Sequence, residues 1–229
     1  LQKTKNLLNQ WIESVSLSFF LLKISCMNSK TKSWFLLLLL AIIWGSSFIL
    51  MKKSMFDSDG KELLTANEVA ALRIFISGFI MILVFIKQIK IAFGEKWIYF
   101  LLVGLLGNLI PAFLFTNAEI YLSSSETGIL NSLVPIFSVL VASYVFGHKI
   151  SKKAIWGVIV GLIGTILLIT FSSDDLSKIQ IGPSLLVVVA TVCYAFSLNI
   201  IKNKLDSIHS FAITGISLVF MIIPCFIYL

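Results

Sequence analysis

Long apolar runs, uncharged except for Arg73 in the second, recur along the chain, each closed by a short polar or charged segment. They fall at about residues 33–51, 69–86, 97–118, 127–147, 154–173, 182–201 and 208–229. Each is near the roughly 20 residues needed to cross a hydrocarbon core about 30 Å thick. None shows the period-2 alternation of a half-buried strand, and all are too long for core strands. The pattern predicts transmembrane helices. The stretch Leu102–Ile169 anchors this reading, because it holds most of three spans and its only charges are Glu119, Glu126, Lys149, Lys152 and Lys153, all near span ends.

Composition supports this. The chain is 58% hydrophobic and 13% charged, with a mean hydropathy of +1.00, about half the charged share of a typical soluble domain. The formal charge of +7 does not indicate nucleic acid, because the lysines sit in short loops between apolar runs and form no stripe. Cys26, Cys193 and Cys225 have no disulfide or zinc spacing. No nucleotide, metal-hydrolase or redox motif occurs. The expectation is therefore no enzyme activity, no cofactor and no metal site.

The loop lysines set an orientation. With the N-terminus cytoplasmic, that side holds Lys30, Lys32, Lys87, Lys90, Lys96, Lys149, Lys152, Lys153, Lys202 and Lys204. The outer side holds Lys52, Lys53, Lys61 and Lys178, offset by Asp57, Asp59, Glu62, Asp174 and Asp175. Trp34, Trp97 and Trp156 open the first, third and fifth spans on the same proposed cytoplasmic side, as an interfacial aromatic belt would. Residues 1–33 form an N-terminal cytoplasmic segment. Its first methionine is Met27, so residues 1–26 are expected to be upstream sequence rather than mature protein; a cytoplasmic tail is the alternative. Val15–Leu22 is apolar but too short to span and lacks a small-residue cleavage site. The chain stops at Leu229 inside the seventh span, which is expected to be a truncation.

Shifted by 150 residues, the chain weakly matches itself. Trp44 falls on Tyr194, Gly45 on Ala195, Ser47 on Ser197 and Lys52 on Lys202. A repeat of five spans is odd-numbered, so the second copy would enter the membrane inverted, a plan common among secondary carriers.

Several motifs occur in a characteristic order. They are Trp44-Gly45-Ser46-Ser47-Phe48 with the following Lys52, Ala71-Leu72-Arg73 in span 2, the Ser-rich turn before span 4, Pro135 within it, a Gly-plus-basic loop and a Gly-rich span 5. In this the chain resembles an EamA-type carrier of the drug/metabolite transporter superfamily. The resemblance covers about residues 34–171, and residues 182–229 resemble the start of a second repeat. It implies an all-α polytopic membrane protein of inverted five-helix repeats, with ten spans when complete and about seven in this chain. Residues 34–173 would be the first repeat and 182–229 the beginning of the second. One departure is Gly147-His148-Lys149, where the family carries Gly-Glu-basic.

Six residues are candidates for substrate binding: Trp44, Ser47, Arg73, Asn108, Asn131 and Tyr194. Arg73 lies about one turn inside the outer end of span 2. A charge there marks either an anion contact at the outer mouth or an anchor to a neighbouring carbonyl, Glu68 or Glu126. Asn108, flanked by Gly107 and Pro111, and Asn131, followed by Pro135, bring amides that want partners in hydrocarbon. They either line a polar pocket or bond between helices. Trp44, near a span centre with Ser46 and Ser47, either lines a cavity or packs. The resemblance adds weight to the cavity, because such carriers bind substrate between the halves, with spans 1, 3, 4 and 6 contributing. Ser123-x-x-Glu126 fits a capping box, and a proton-coupling carboxylate is the competing role for Glu126 or Glu119. Both glutamates are expected near the outer surface. Gly157-x-x-x-Gly161 reads as a site of close helix packing.

The combined expectation is a secondary transporter moving a small amino-acid-like or amphipathic metabolite across the cell (inner) membrane by alternating access, in the export direction. The expected partners are the lipid bilayer and a small-molecule substrate, with proton coupling and the oligomeric state left open. The alternative is a non-transporting membrane enzyme or an assembly or scaffold protein. The first would require a convergent cluster of His, Asp, Glu or Cys, and a scaffold or sensor would need a sizeable soluble domain. Neither is visible.

Overall fold

A computed structural model of the chain describes residues 29–57, 59–85, 94–172 and 180–229. The readings made for residues 1–26, and for Lys87, Lys90, Asp174, Asp175 and Lys178, lie outside them. The described elements are helices: α1 (Ser29–Met55), α2 (Ala66–Phe85), α3 (Trp97–Gly104), a π-helical segment (Leu105–Leu109), α4 (Ile110–Glu119), α5 (Ser124–Asn131), α6 (Val134–Tyr144), α7 (Lys152–Ser172), α8 (Ile181–Lys204) and α9 (Ser210–Tyr228). Among the described residues there is no strand, only an isolated bridge between Phe56 and Glu62.

Six segments are long and apolar enough to cross a membrane: Ser33–Met55, Ala66–Leu83, Trp97–Glu119, Ser124–Tyr144, Ile181–Lys204 and Ser210–Tyr228. The 21-residue α7 occupies the place of the fifth expected span. The protein is an all-α polytopic membrane protein. Its surface agrees: on α2 the exposed Ile76, Phe79, Ile80 and Leu83 recur at helical spacing, which is the stripe a lipid-facing helix presents.

Two spans are not regular helices. Span 3 carries the π turn Leu105–Leu109 immediately before Pro111. Proline has no N–H to give the carbonyl four residues earlier, so the backbone there must readjust. Span 4, expected as one helix, is two. It breaks after Asn131, and Pro135 sits in the first turn of the second piece. The Ser132 hydroxyl donates to the Ile129 carbonyl at 2.6 Å and lies 3.2 Å from Thr165 Oγ1 of α7.

Tertiary contacts divide the chain at Ser47/Phe48. Residues 29–47 are the first part of α1, whose leucines 36–40 and Ile42, Ile43 and Trp44 are exposed. Within residues 48–229, α8 is the central helix, packing on α3, the π segment, α4, α5 and α6. Helix α9 packs on α2 and α3, and α7 rests on α5 and α6. One core joins Met51, Met55, Val69, Phe115, Leu130 and Val187. Asn199 of α8 is buried and donates to the Ser138 carbonyl of α6 at 3.0 Å and to its own Ala195 carbonyl at 2.9 Å.

The expected glycine pair of span 5 is only half used. A Cβ at Gly161 would lie 3.3 Å from Ile136 Cδ1, whereas one at Gly157 would meet nothing within 4 Å. The contact face of α7 runs through Val158, Gly161 and Thr165, and Gly157 falls one helical position to its side.

Candidate functional site

The chemistry concentrates around the turn between α4 and α5, which both pack on α8, with side chains from the end of α1 and from α2. Helix α4 ends at Glu119, and a tight turn leads to α5, with Leu122 N–H donating to the Ala118 carbonyl at 2.9 Å. That turn is fixed by a capping box. Ser123 Oγ accepts from the Glu126 N–H at 3.2 Å, and Glu126 Oε2 accepts from the Ser123 N–H at 2.8 Å. The capping reading of Glu126 is thus observed. A second box that the sequence reading passed over starts α2: Glu68 Oε2 accepts from the Thr65 N–H at 2.8 Å, and Glu68 N–H donates to Thr65 Oγ1 at 3.3 Å. Thr65-x-x-Glu68 was the available signal.

Glu119 ends α4, and its side chain is fully buried against the protein. The cause is helical phase. Phe115, Ala118 and Leu122 are buried on the same side of the helix end, while Ile120 and Tyr121 face out. Lys52 of α1 and Arg73 of α2 are close enough for their charges to act on the carboxyl group. The Lys52 ammonium donates to the Leu122 carbonyl at 2.7 Å, and Arg73 Nη1 contacts Met51 Sδ. The Ser124 hydroxyl, also nearby, donates to the Phe48 carbonyl at 3.3 Å.

An aromatic series runs beside this cluster. The Phe48 and Phe115 ring centroids are 5.7 Å apart, and those of Phe115 and Tyr194 are 5.9 Å apart. The charge of Arg73 reaches Tyr194 as well. An open cleft of about 460 Å³, lined by Lys52, Lys53, Phe56 and Asp57, adjoins Lys52. Asn117 of α4 donates to Asn67 Oδ1 of α2 at 2.7 Å.

The structure brings together two of the six candidates, Arg73 and Tyr194. Asn108 is half-buried on the π segment, which packs on α8. Asn131 is half-buried at the break in span 4, and its Oδ1 has no partner. Trp44, 60% exposed, and the half-buried Ser47 belong to residues 29–47 and stand apart from this description. Among the described residues no group of three or more His, Cys, Asp or Glu side chains could hold a metal ion.

Span 3 carries a π turn, span 4 is broken, and polar side chains lie buried among apolar helices. Residues 31–170 match the EamA-like transporter family. The chain belongs to that family. An uncharacterized transporter of Archaeoglobus fulgidus is 24% identical over 198 residues, which cover 86% of this chain and 67% of that relative. No solved structure matches the chain. EamA membership makes this a multi-pass membrane transporter, embedded in a lipid bilayer and acting on a small-molecule substrate. Both comparisons point to transport rather than catalysis.

Proposed function

We propose that the protein is a secondary transporter that exports a small amino-acid-like or amphipathic metabolite across the cytoplasmic membrane. The observation that carries this reading is the juxtaposition of Lys52, Arg73 and the buried Glu119 with the Phe48–Phe115–Tyr194 ring series. Charges of both signs beside an aromatic wall suit a zwitterion with an apolar side chain. Arg73 and Tyr194 would contact that substrate, with Asn108 and Asn131 supplying amides from the irregular stretches of spans 3 and 4. Trp44 and Ser47 are further proposed substrate contacts, on span 1.

Movement would be alternating access between inverted five-helix repeats, 34–173 and one beginning at 182. The repeat match of span 1 to span 6 supports it, as do the discontinuous spans, since irregular backbone in a membrane is tolerated where it lines a cavity or is buried in protein. The lysine bias and the exposed Trp34, Trp97 and Trp156 support a cytoplasmic N-terminus.

The test is counterflow in liposomes. Purified protein is reconstituted with a high internal concentration of each of a panel of unlabelled amino acids, and entry of the labelled form is followed. Saturable counterflow of at least one, weakened in an Arg73→Met variant, is the expected result. Absence of counterflow for the whole panel would discard the substrate class.

A further inference from the structure

Three membrane segments meet at one end of the bundle: Trp97–Glu119 begins there, Ile181–Lys204 ends there and Ser210–Tyr228 begins there. They are joined by a packed core of Phe100, Val103, Leu205, Ile213 and Ile216, which gives the groups around it a fixed frame. Two ammonium groups are fastened to this corner. Lys96, just before α3, donates to Ser207 Oγ of the turn between α8 and α9 at 3.5 Å. Lys204, the last residue of α8, sits over the Tyr99 ring of α3, 5.9 Å from its centroid. One contact runs from α3 to the end of α8 and the other runs back, so both cations occupy the same corner. A hydroxyl and an aromatic ring neutralise neither charge. Both lysines are exposed, as are Trp97 and Ile98 beside them. His148 Nε2 lies 2.8 Å from Asn203 Oδ1 of α8, which brings Lys149 to the same end. The acids here, Glu95 and Asp206, are outnumbered by Lys96, Lys149, Lys202 and Lys204.

We propose that this corner binds the headgroup of an anionic phospholipid, with Lys96 and Lys204 sharing its phosphate. A phosphodiester spreads one negative charge over two free oxygens, and two ammonium groups at one corner can each donate to one of them. Such charge-assisted hydrogen bonds are the strong kind. Both side chains are already held, one by Ser207 and one by Tyr99, so little side-chain freedom is lost when the lipid binds. The location selects a lipid over a free anion. The corner lies where three membrane segments end, at the depth of the headgroups, and basic pockets between spans at that depth take anionic headgroups. The exposed Trp97 belongs at the same level, and the exposed Ile98 offers apolar surface to the start of an acyl chain. A lipid seated here would staple α3, which lies in the matched region 31–170, to α8, which follows it. The site needs a bilayer and no cargo, so it stands apart from the transport reading above.

The experiment reconstitutes the purified full chain in phosphatidylcholine vesicles with a rising fraction of brominated phosphatidylglycerol. Tryptophan quenching is read against the same series with brominated phosphatidylcholine. The expected result is stronger quenching by the anionic lipid, saturating at a low mole fraction, with the excess removed in Trp97→Phe. Replacing both cations in Lys96→Gln/Lys204→Gln should weaken the preference by about 25-fold, at about fivefold for each lysine near a bilayer surface. Lys152→Gln/Lys153→Gln, at the start of α7, should leave it unchanged. Lys204→Arg keeps a cation over the ring and should retain the preference; its loss there would count against the site. Equal quenching by the two lipids, or an excess that survives Trp97→Phe, would overturn the proposal. The same loss in the Lys152/Lys153 variant would show diffuse attraction in place of a site and overturn it too. Displacement of the brominated lipid by millimolar inorganic phosphate would make this a site for a free anion and defeat the lipid assignment.

Discussion

Ser197 of α8 points its hydroxyl into the space that a side chain on Gly107 would need, and its Cβ would lie 3.2 Å from a Cβ built there. Span 3 and α8 can approach this closely only because residue 107 is glycine. Gly107→Ala should destabilise the protein by about 1–3 kcal/mol, as overpacking does. Adding Ser197→Ala removes the nearest atom and should restore a large part of the loss. Thermal unfolding in detergent reads both; a double variant no better than the single would place the strain elsewhere.

Gly104 is the stricter case. A Cβ there would stand 2.7 Å from the Ser217 backbone carbonyl of α9. A carbonyl in a helix cannot rotate aside, so the two helices would have to separate. Gly104→Ala should therefore cost more than Gly107→Ala, reaching or passing the upper end of the same range of about 1–3 kcal/mol. Trimming the neighbouring Met221 should not rescue it. Equal Tm values for the two glycine variants would refute the ranking.

The Ser123–Glu126 box separates capping from transport. Ser123→Ala leaves a helix-start N–H without its acceptor and should cost about 1 kcal/mol. Glu126→Gln keeps an oxygen that can accept from the Ser123 N–H, so its Tm should stay near that of the unaltered protein. A Glu126→Gln protein with normal Tm and no transport would reveal a duty beyond the cap.

Asn131 carries a carbonyl oxygen with no partner at the break in span 4. If that oxygen serves cargo, Asn131→Leu should leave Tm unchanged or raised, since an unsatisfied polar group is removed. Counterflow should fall by about tenfold, the size of one lost hydrogen bond. A fall in Tm with unaltered counterflow would show the residue to be structural.

Arg73→Lys retains the charge and loses the planar fork. With a carboxylate-bearing cargo gripped in two places, the apparent affinity in counterflow should weaken by about tenfold or more. Unchanged affinity would exclude two-point recognition and leave Arg73 as a simple cation beside Glu119.

The spans were readable because hydrocarbon imposes one demand on every residue of a long segment, and that demand is visible in composition alone. The caps at Ser123 and Thr65 were equally local, each closed within four residues. The burial of Glu119 was not legible, because distance along a span says how deep a residue lies and not which way it points. The phase of Phe115, Ala118 and Leu122 carried that information, and it needed a neighbour, α8 with Tyr194 and Val187, to become decisive. The division of span 4 was hinted at by Pro135, but an apolar run of this composition looks the same whole or broken. The proximity of Lys52, Arg73 and Glu119 joins positions 21 and 46 residues apart, and no local rule reports on that.

The central position of α8 has a consequence for how the protein is made. Helices leave the ribosome in order, and α8 follows every helix of the matched region 31–170. Until it arrives, the faces of α3, α4, α5 and α6 that receive it have no protein to pack on. Newly inserted α3–α6 must therefore wait in the bilayer with those faces turned to lipid or to an insertion chaperone. Assembly of the native bundle is in this sense a late event, triggered by a helix that belongs to the next stretch of chain.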